Sequence, residues 1–319
     1  MTTPRVLITG GAGFLGSHLC DYYMGAGWNT VCLDNESSGR AANVAHWLDN
    51  DRFTYLHADL TDGVDLDGDL DLVLHMASLA SPPFYKRMPI DTLMVGSIGT
   101  LKALELGVEK NARVVFASTS EVYGDPQVSP QPESYWGHVN PIGPRSMYDE
   151  SKRFGEALVM AFKHEHNANV GIVRIFNTFG PRMRPDDGRV ITQFLGQILH
   201  DKPLTIHGSG QQTRSFCYVG DLIEGIAAMG AAQDVTGPIN LGNPFNEMSI
   251  LKLAERLCSQ FHKPFQRAGE MPDQDENDPR QRCPDIQRAR QMLGWEPRTS
   301  FEDGIRATYE WLQTQRGTQ

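Results

Sequence analysis

Along the first half of the chain, short β-branched apolar runs alternate with stretches of helical periodicity. Val6-Leu7-Ile8 is stopped by Gly10-Gly11, and Phe14, Leu15, Leu19, Tyr22 and Tyr23 then fall on one helical face. Thr30-Val31-Cys32-Leu33, ending at Asp34, reads as a second strand, with further strands over 53–56 and 72–75. A helix is predicted over 90–106, a buried strand over 113–117, a helix over 151–164 and a strand over 170–175. Strands separated by helices imply an α/β fold with a doubly wound parallel sheet.

Beyond Ile175 this rhythm breaks. Residues 177–216 are rich in Gly, Pro, Arg and polar groups, the composition of a site-bearing segment. A helix over 222–229 leads to a short strand over 238–241 that can return to the sheet. Helices are predicted over 249–262, 285–293 and 301–313, with a polar loop over 269–284. The pattern predicts two interleaved domains. The larger is formed by 1–176 plus about 217–243, and the smaller α/β domain by about 177–216 plus 244–319.

Composition narrows the classes of function. The 319 residues are 40% hydrophobic and 21% charged, ordinary values for a soluble globular protein. A net charge of -10 argues against nonspecific nucleic-acid binding, which needs a basic surface. It leaves room for a small anionic substrate in a locally basic pocket. None of the five cysteines forms a CxxC pair, so neither a zinc site nor a disulfide framework is expected, and no metal. Reduced thiols, no signal-peptide pattern and no run of about 18 apolar residues lead us to expect a cytoplasmic protein that does not span a membrane.

The first strand runs into Gly10-Gly11-Ala12-Gly13-Phe14-Leu15-Gly16. Glycines at this junction allow a tight turn, close backbone approach to a pyrophosphate, and close packing of helix on strand. The helix N-terminus offers free N–H groups to the phosphates. Asp34 ends the second strand, about 20 residues further on, where a carboxylate meets ribose hydroxyls. Strand, loop, helix and acid together predict a dinucleotide site. Asp34 would repel a 2′-phosphate, so NAD is expected rather than NADP; Arg40 is the one residue that opposes this preference. Asp59, after the third strand, is either an adenine neighbour or a solvated loop aspartate.

Tyr148 and Lys152 stand four residues apart and share a face if that stretch is helical. Ionising a tyrosine at pH 7 costs about 4 kcal/mol. A nearby ammonium and the positive charge of an oxidised nicotinamide both oppose that cost. Tyr148 is then a candidate base for a hydroxyl whose carbon gives up hydride. The strand over 113–117 leads into STSEVYG over 118–124, at the carboxyl end of the sheet, where ligands bind in this architecture. Thr119 and Ser120 are both candidates to share the substrate proton with Tyr148. Glu121 is either an acid or base near a reacting sugar, or a buried salt-bridge partner.

These segments resemble the nucleotide-sugar branch of the extended short-chain dehydrogenase/reductase superfamily. Further stretches are similar to the UDP-glucuronate decarboxylases within it: His75 to Pro83, YWGHVNPIGPR over 135–145, Arg174 to Arg184, Asp186 to Val190 and Gln212 to Val219. The likeness runs from about residue 5 to residue 313. It implies a Rossmann-type NAD-binding domain with a smaller nucleotide-sugar-binding domain, and conversion of UDP-glucuronate to a UDP-pentose, UDP-xylose, with release of CO₂. It implies a redox triad of Thr119, Tyr148 and Lys152, with Glu121, Arg282 and nearby Ser120 around the carboxylate and C5. Asn277 and Cys283 depart from the family pattern around Arg282, for which the alternative is a loop cation paired with Asp285.

For the cofactor the resemblance implies contacts from Gly10, Gly13, Phe14, Leu15, Gly16, Asp34, Asn35, Ser38, Asp59 and Leu60. It adds Met76, Ala77, Ser78, Thr178 and Arg189 to Tyr148 and Lys152. For the substrate it implies Ala80, Ser81, Tyr85, Asn177, Arg182, Arg189 and Arg214; guanidinium groups suit phosphate oxygens. No substrate contact is expected at Met94. A 4,6-dehydratase would carry an Asp after Thr119, where Ser120 stands. Relatives also imply a homodimer through helices at about 90–108 and 150–166.

Overall fold

The structure is a computed structural model and describes residues 3–269 and 278–315. Seven parallel strands form the central sheet: β1 (Arg5–Thr9), β2 (Asn29–Asp34), β3 (Phe53–His57), β4 (Leu72–His75), β5 (Arg113–Thr119), β6 (Val170–Ile175) and β10 (Ile239–Leu241). Their order is β10-β6-β5-β4-β1-β2-β3. The chain winds outward one way through β2 and β3 and the other way through β4, β5 and β6, so a switch point lies between β1 and β4. Crevices at such points, beyond the carboxyl ends of the strands, hold ligands.

The sheet is buried on both faces, which explains its near-continuous apolar strands. In β1, Val6 and Ile8 join an apolar cluster with Leu19, Cys20 and Tyr23 of α1 (Phe14–Gly25) and Leu222 and Ile226 further on. Leu7 points the other way, into a cluster with Ala103 and Leu104 of α4 (Thr100–Glu109) and Val159 of α5 (Ser146–His166). Tyr22 corrects the reading of α1. It is 42% exposed, because the helix rides on the sheet through Leu19, Cys20, Tyr23 and Met24 instead.

Between β4 and β5 the structure adds α2 (Pro82–Arg87), which the sequence pattern did not show. The helix predicted over 90–106 is α3 (Pro89–Met94), a π-helical turn over Val95–Gly99, and α4. A Cβ on Gly96 would lie 2.5 Å from Ser151 Cβ, so the turn packs backbone-close against α5. The helix predicted from residue 151 begins at Ser146, which puts Tyr148 in its first turn.

Beyond β6 lie β7 (Thr178–Phe179), α6 (Val190–Leu199), β8 (Thr213–Ser215), β9 (Cys217–Tyr218) and α7 (Val219–Ala231). After β10 come β11 (Glu247–Ser249), α8 (Ile250–Gln260), β12 (Gln281–Arg282) and α9 (Phe301–Thr314). The polar reading of 177–216 missed α6, although Ile191, Phe194, Leu195 and Ile198 are helically spaced and buried. They join a separate apolar cluster with Phe216, Leu253, Leu257, Phe301 and Ile305. The predicted helix over 285–293 is mostly a π-helical turn over Ala289–Leu293. Part of the predicted loop over 269–284, with Asn277, lies outside the described residues; Gln281–Arg282 within it is strand, paired with β8. All five cysteines are buried and free. Among the described residues no helix is long and apolar enough to cross a membrane.

Candidate active site

The carboxyl ends of β1, β2, β4, β5 and β6 open onto a cavity of about 580 Å³. Its first wall is the loop after β1. Gly10 has φ +68°, and a Cβ there would lie 2.9 Å from the Ala77 backbone. A Cβ on Gly16 would sit 2.0 Å from the Gly10 carbonyl oxygen, so only glycine lets α1 approach β1 this closely. Asp34 accepts hydrogen bonds from the Ala12 N–H at 3.0 Å and the Glu36 N–H at 2.7 Å. Burial outweighs these bonds and holds its carboxyl above the ordinary range. Asn35 Nδ2 donates to Asp59 Oδ2 at 2.8 Å, and Asp59 caps the turn over Leu60–Asp62. Gly13, Phe14, Leu15, Ser38, Asp59 and Leu60 line this end of the cavity with Asp34 and Asn35. Arg40 is exposed and is not among the lining residues.

The loop after β4 forms the floor, through Met76, Ala77, Ser78, Ala80 and Ser81. Across it, the end of β5 delivers Thr119 and the turn after it Ser120 and Glu121, while α5 delivers Tyr148 and Lys152. Lys152 Nζ donates to the Ala117 carbonyl oxygen at 2.8 Å and lies 6.0 Å from the Tyr148 ring centre. Tyr85 stacks on Tyr148, with ring centroids 5.4 Å apart and planes 10° from parallel. Burial holds the Tyr148 phenol at about 12, against the pull of a hydrogen bond with Thr119. Burial alone lowers the Lys152 ammonium to about 7. Burial therefore pushes the phenol and the amine towards their neutral forms.

The third wall is ionic. Glu121 is gripped by Arg282 Nη2, and by Arg145 Nη2 at 2.8 Å. Arg145 Nη1 lies 3.6 Å from Asp278, whose other oxygen accepts from Arg214 Nη2 at 2.8 Å. Burial would raise Glu121 and Asp278, but the guanidiniums hold both below the carboxylate range. Arg214 is lowered to about 10 by burial and by Arg282. Asp149, one turn beyond Arg145, is raised to about 8 by burial and by Glu121. Three guanidiniums, Arg145, Arg214 and Arg282, thus face Glu121 and Asp278 along this wall. The ion-pair reading of Glu121 holds, and the buried carboxylate also lines the cavity. Arg282 pairs with Glu121 rather than Asp285.

Asn177, Thr178, Arg182, Arg189 and Arg214 complete the lining, so every candidate residue named from the sequence borders one cavity. Arg182 pairs with Asp21 at 2.7 Å, and Arg189 Nη2 donates to the Ala80 carbonyl oxygen at 3.2 Å. Met94 lines the cavity too. Sequence reasoning missed Arg145, Asp278 and Arg184 as site residues. Arg184 Nη1 donates to the Ser38 carbonyl oxygen at 3.3 Å, and its guanidinium lies 4.8 Å from the Phe84 ring centre. The local signal at Arg145 was its place at the end of the family-like segment over 135–145, and arginine pairing with acids across long sequence separations has none.

A glycine cradle, a buried acid at the end of β2, and a Tyr–Lys pair across one cavity define a dinucleotide-dependent enzyme of the extended short-chain dehydrogenase/reductase class. The family model described as GDP-mannose 4,6 dehydratase matches residues 7–308. UDP-glucuronic acid 4-epimerase from Bacillus cereus, solved with UDP-glucuronic acid and NAD, superposes with TM-score 0.83 and 28% identity, covering 97% of this chain and 99% of that one. The dTDP-glucose 4,6-dehydratase from Streptomyces venezuelae, solved with NAD, gives TM-score 0.88 and 25% identity over 98% of each chain. UDP-glucuronic acid decarboxylase 1 of Xenopus tropicalis is 46% identical over 97% of this chain and 72% of its own length. UDP-glucuronic acid decarboxylase 3 of Arabidopsis thaliana is 45% identical over 94% and 86%. The chain belongs to the UDP-glucuronic acid decarboxylase family.

Proposed function

We infer that this protein decarboxylates UDP-glucuronate to UDP-xylose and CO₂, using NAD. The observation that carries the reading is the 44–46% identity to UDP-glucuronic acid decarboxylases over 94–97% of the chain. The family model's match over residues 7–308 includes the cavity residues from Gly10 to Arg282.

The cradle fits the cofactor: Gly10, Gly13 and Gly16 leave room for a pyrophosphate, and Asp34 faces the ribose. Asn35, Ser38, Asp59 and Leu60 enclose the adenosine end. Met76, Ala77, Ser78, Thr178 and Arg189 enclose the nicotinamide end. Bound NAD⁺ supplies the hydride acceptor at sugar C4 and, once reduced, the donor that returns it, so no net redox change results.

Tyr148 takes the C4 hydroxyl proton, with Thr119 sharing the hydrogen bond and Lys152 holding the site. The C4 ketone makes the sugar a β-keto acid. Its C5–carboxylate bond then breaks, CO₂ leaves, and the electron pair passes to the C4 oxygen as an enolate. Glu121, Arg282 and Ser120 surround the carboxylate and C5, where a proton is returned. Tyr148 gives its proton back as C4 is reduced. Arg182, Arg189, Arg214 and Asn177 hold the UDP moiety, and Ala80, Ser81 and Tyr85 pack against the sugar.

The same reading makes 1–176 plus about 217–243 the NAD-binding part, and about 177–216 plus 244–319 the nucleotide-sugar part. The separate apolar cluster spanning residues 179–216 and 248–312 supports this division. We place the protein in the cytoplasm as a homodimer paired through α3–α4 and α5. Exposed Ile90, Leu93, Val108 and Phe154 on those helices support the pairing.

Incubation with UDP-glucuronate and NAD⁺ tests the reaction. UDP-xylose and CO₂ without net NADH support it. UDP-4-keto-pentose with stoichiometric NADH makes the enzyme an oxidative decarboxylase, and no turnover of UDP-glucuronate refutes both.

A further inference from the structure

Arg145 joins the two halves of the chemistry. Its carbonyl oxygen accepts from the N–H groups of Tyr148 at 3.0 Å and Asp149 at 3.2 Å, so its backbone caps the helix that carries Tyr148 and Lys152. Its side chain reaches the opposite wall. One Nη grips Glu121 at 2.8 Å, and the other faces Asp278 at 3.6 Å. The side chain is 10% exposed and its Nε has no partner among the described residues. The guanidinium also lies 5.9 Å from the ring centre of Tyr85, which stacks on Tyr148. Arg282 holds the other oxygen of Glu121, but it comes from β12 and has no backbone tie to α5.

Resting on the decarboxylase reading above, we propose that Arg145 is a positioning residue that fixes the Glu121 carboxylate relative to Tyr148. The group beside C5 and the base at C4 then keep one spacing while a single sugar ring passes between two bond-breaking events. A planar fork serves two carboxylates at once, whereas a lysine at this position serves one. The remaining charges around Glu121 are Arg282 and Arg214 from β12 and β8, Asp278, and Asp149 on α5. None of these is part of the helix cap in front of Tyr148.

The test compares Arg145→Met and Arg145→Lys with the unsubstituted enzyme, following NADH absorbance and CO₂ release in the same single turnover. Arg145→Met is expected to lose about 100-fold in kcat with KM within about threefold, because the interaction matters in the transition state rather than in binding. NADH forms as C4 gives up its hydride but accumulates, since decarboxylation and return of the proton at C5 lag behind. Arg145→Lys recovers part of the rate. Four results overturn the role: kcat within about threefold of the unsubstituted enzyme, equal loss of both steps, no recovery with lysine, or a raised KM at unchanged kcat, which would make Arg145 a substrate-binding cation. Should Arg145→Met not fold, Arg145→Lys decides by the same ratio of NADH to CO₂. Absence of CO₂ from the unsubstituted enzyme would instead overturn the reading of the reaction itself.

Discussion

Lys152 Nζ points at the Ala117 carbonyl oxygen, 2.8 Å away, and stands 6.0 Å from the ring centre of Tyr148. The lysine is thus anchored to the end of β5 rather than bonded to the phenol. From there it faces the same space as Tyr148, and both are buried. The arrangement holds two titratable groups in their neutral-leaning states, the phenol at about 12 and the amine at about 7. Charge supplied by a cationic ligand in the cavity acts on both.

Removing the phenol oxygen should stop catalysis and spare the fold. Tyr148→Phe keeps the ring that stacks on Tyr85 and loses only the proton-transfer group. Turnover of UDP-glucuronate is expected to fall about 10²–10⁴-fold, with NAD still bound. Product assays beside dinucleotide content of the purified variant check this, and full activity would refute the base role.

The buried lysine gives stability a defined pH dependence. Its folded value is about 7, against about 10.4 in the unfolded chain. Between about pH 7 and about pH 10 the unfolded state therefore binds more protons, and stability rises with pH. Below pH 7 both states are protonated and this contribution is flat. Subtracting urea midpoints of Lys152→Met from those of the unsubstituted protein isolates the effect from Asp149, which titrates nearby in the opposite sense. The difference should grow from pH 7 to pH 9; a constant difference contradicts the burial argument.

Arg184 ties the segment after β7 to the loop after β2, over the end of the cavity that Asp34 lines. Arg184→Ala removes its bond to the Ser38 carbonyl and its packing on Phe84. We expect about 1 kcal/mol weaker NAD binding, about fivefold in Kd, with kcat restored by excess NAD⁺. Calorimetric titration of cofactor-free protein measures it, and unchanged affinity counts against a clasping role.

Gly16→Ala places a methyl 2.0 Å from the Gly10 carbonyl oxygen. Either α1 moves off β1 or the glycine loop shifts, and both deform the pyrophosphate cradle. A loss of about 1–3 kcal/mol in stability is expected, together with weakened NAD binding. Thermal unfolding with and without NAD⁺ reads both, and an unaltered midpoint would show that the contact relaxes freely.

The parallel sheet was legible because its strands are buried on both faces and therefore read as short apolar runs, as in Val6-Leu7-Ile8 and Arg113 to Ala117. The glycine loop and the Tyr148–Lys152 spacing were legible because each is set within one turn of chain. Less was visible where packing overrode local pattern. Tyr22 looks apolar in sequence yet lies outward, since the helix meets the sheet through its neighbours. The apolar stripe of α6 was present but hidden among polar and glycine-rich flanks.

By itself, the sequence determined the fold class, the glycine-rich loop after β1 and the Tyr148–Lys152 pair, because these depend on residues near one another in the chain. The tertiary structure decided the ionic wall. Glu121 meets Arg282 across 161 residues, and Arg214 meets Asp278 across 64. Such pairings follow from how β8 and β12 of the small sheet come to lie across the cavity from the turn after β5, and burial there sets which charges must be matched. No local spacing encodes that Arg145, at the cap of α5, reaches across to the turn after β5.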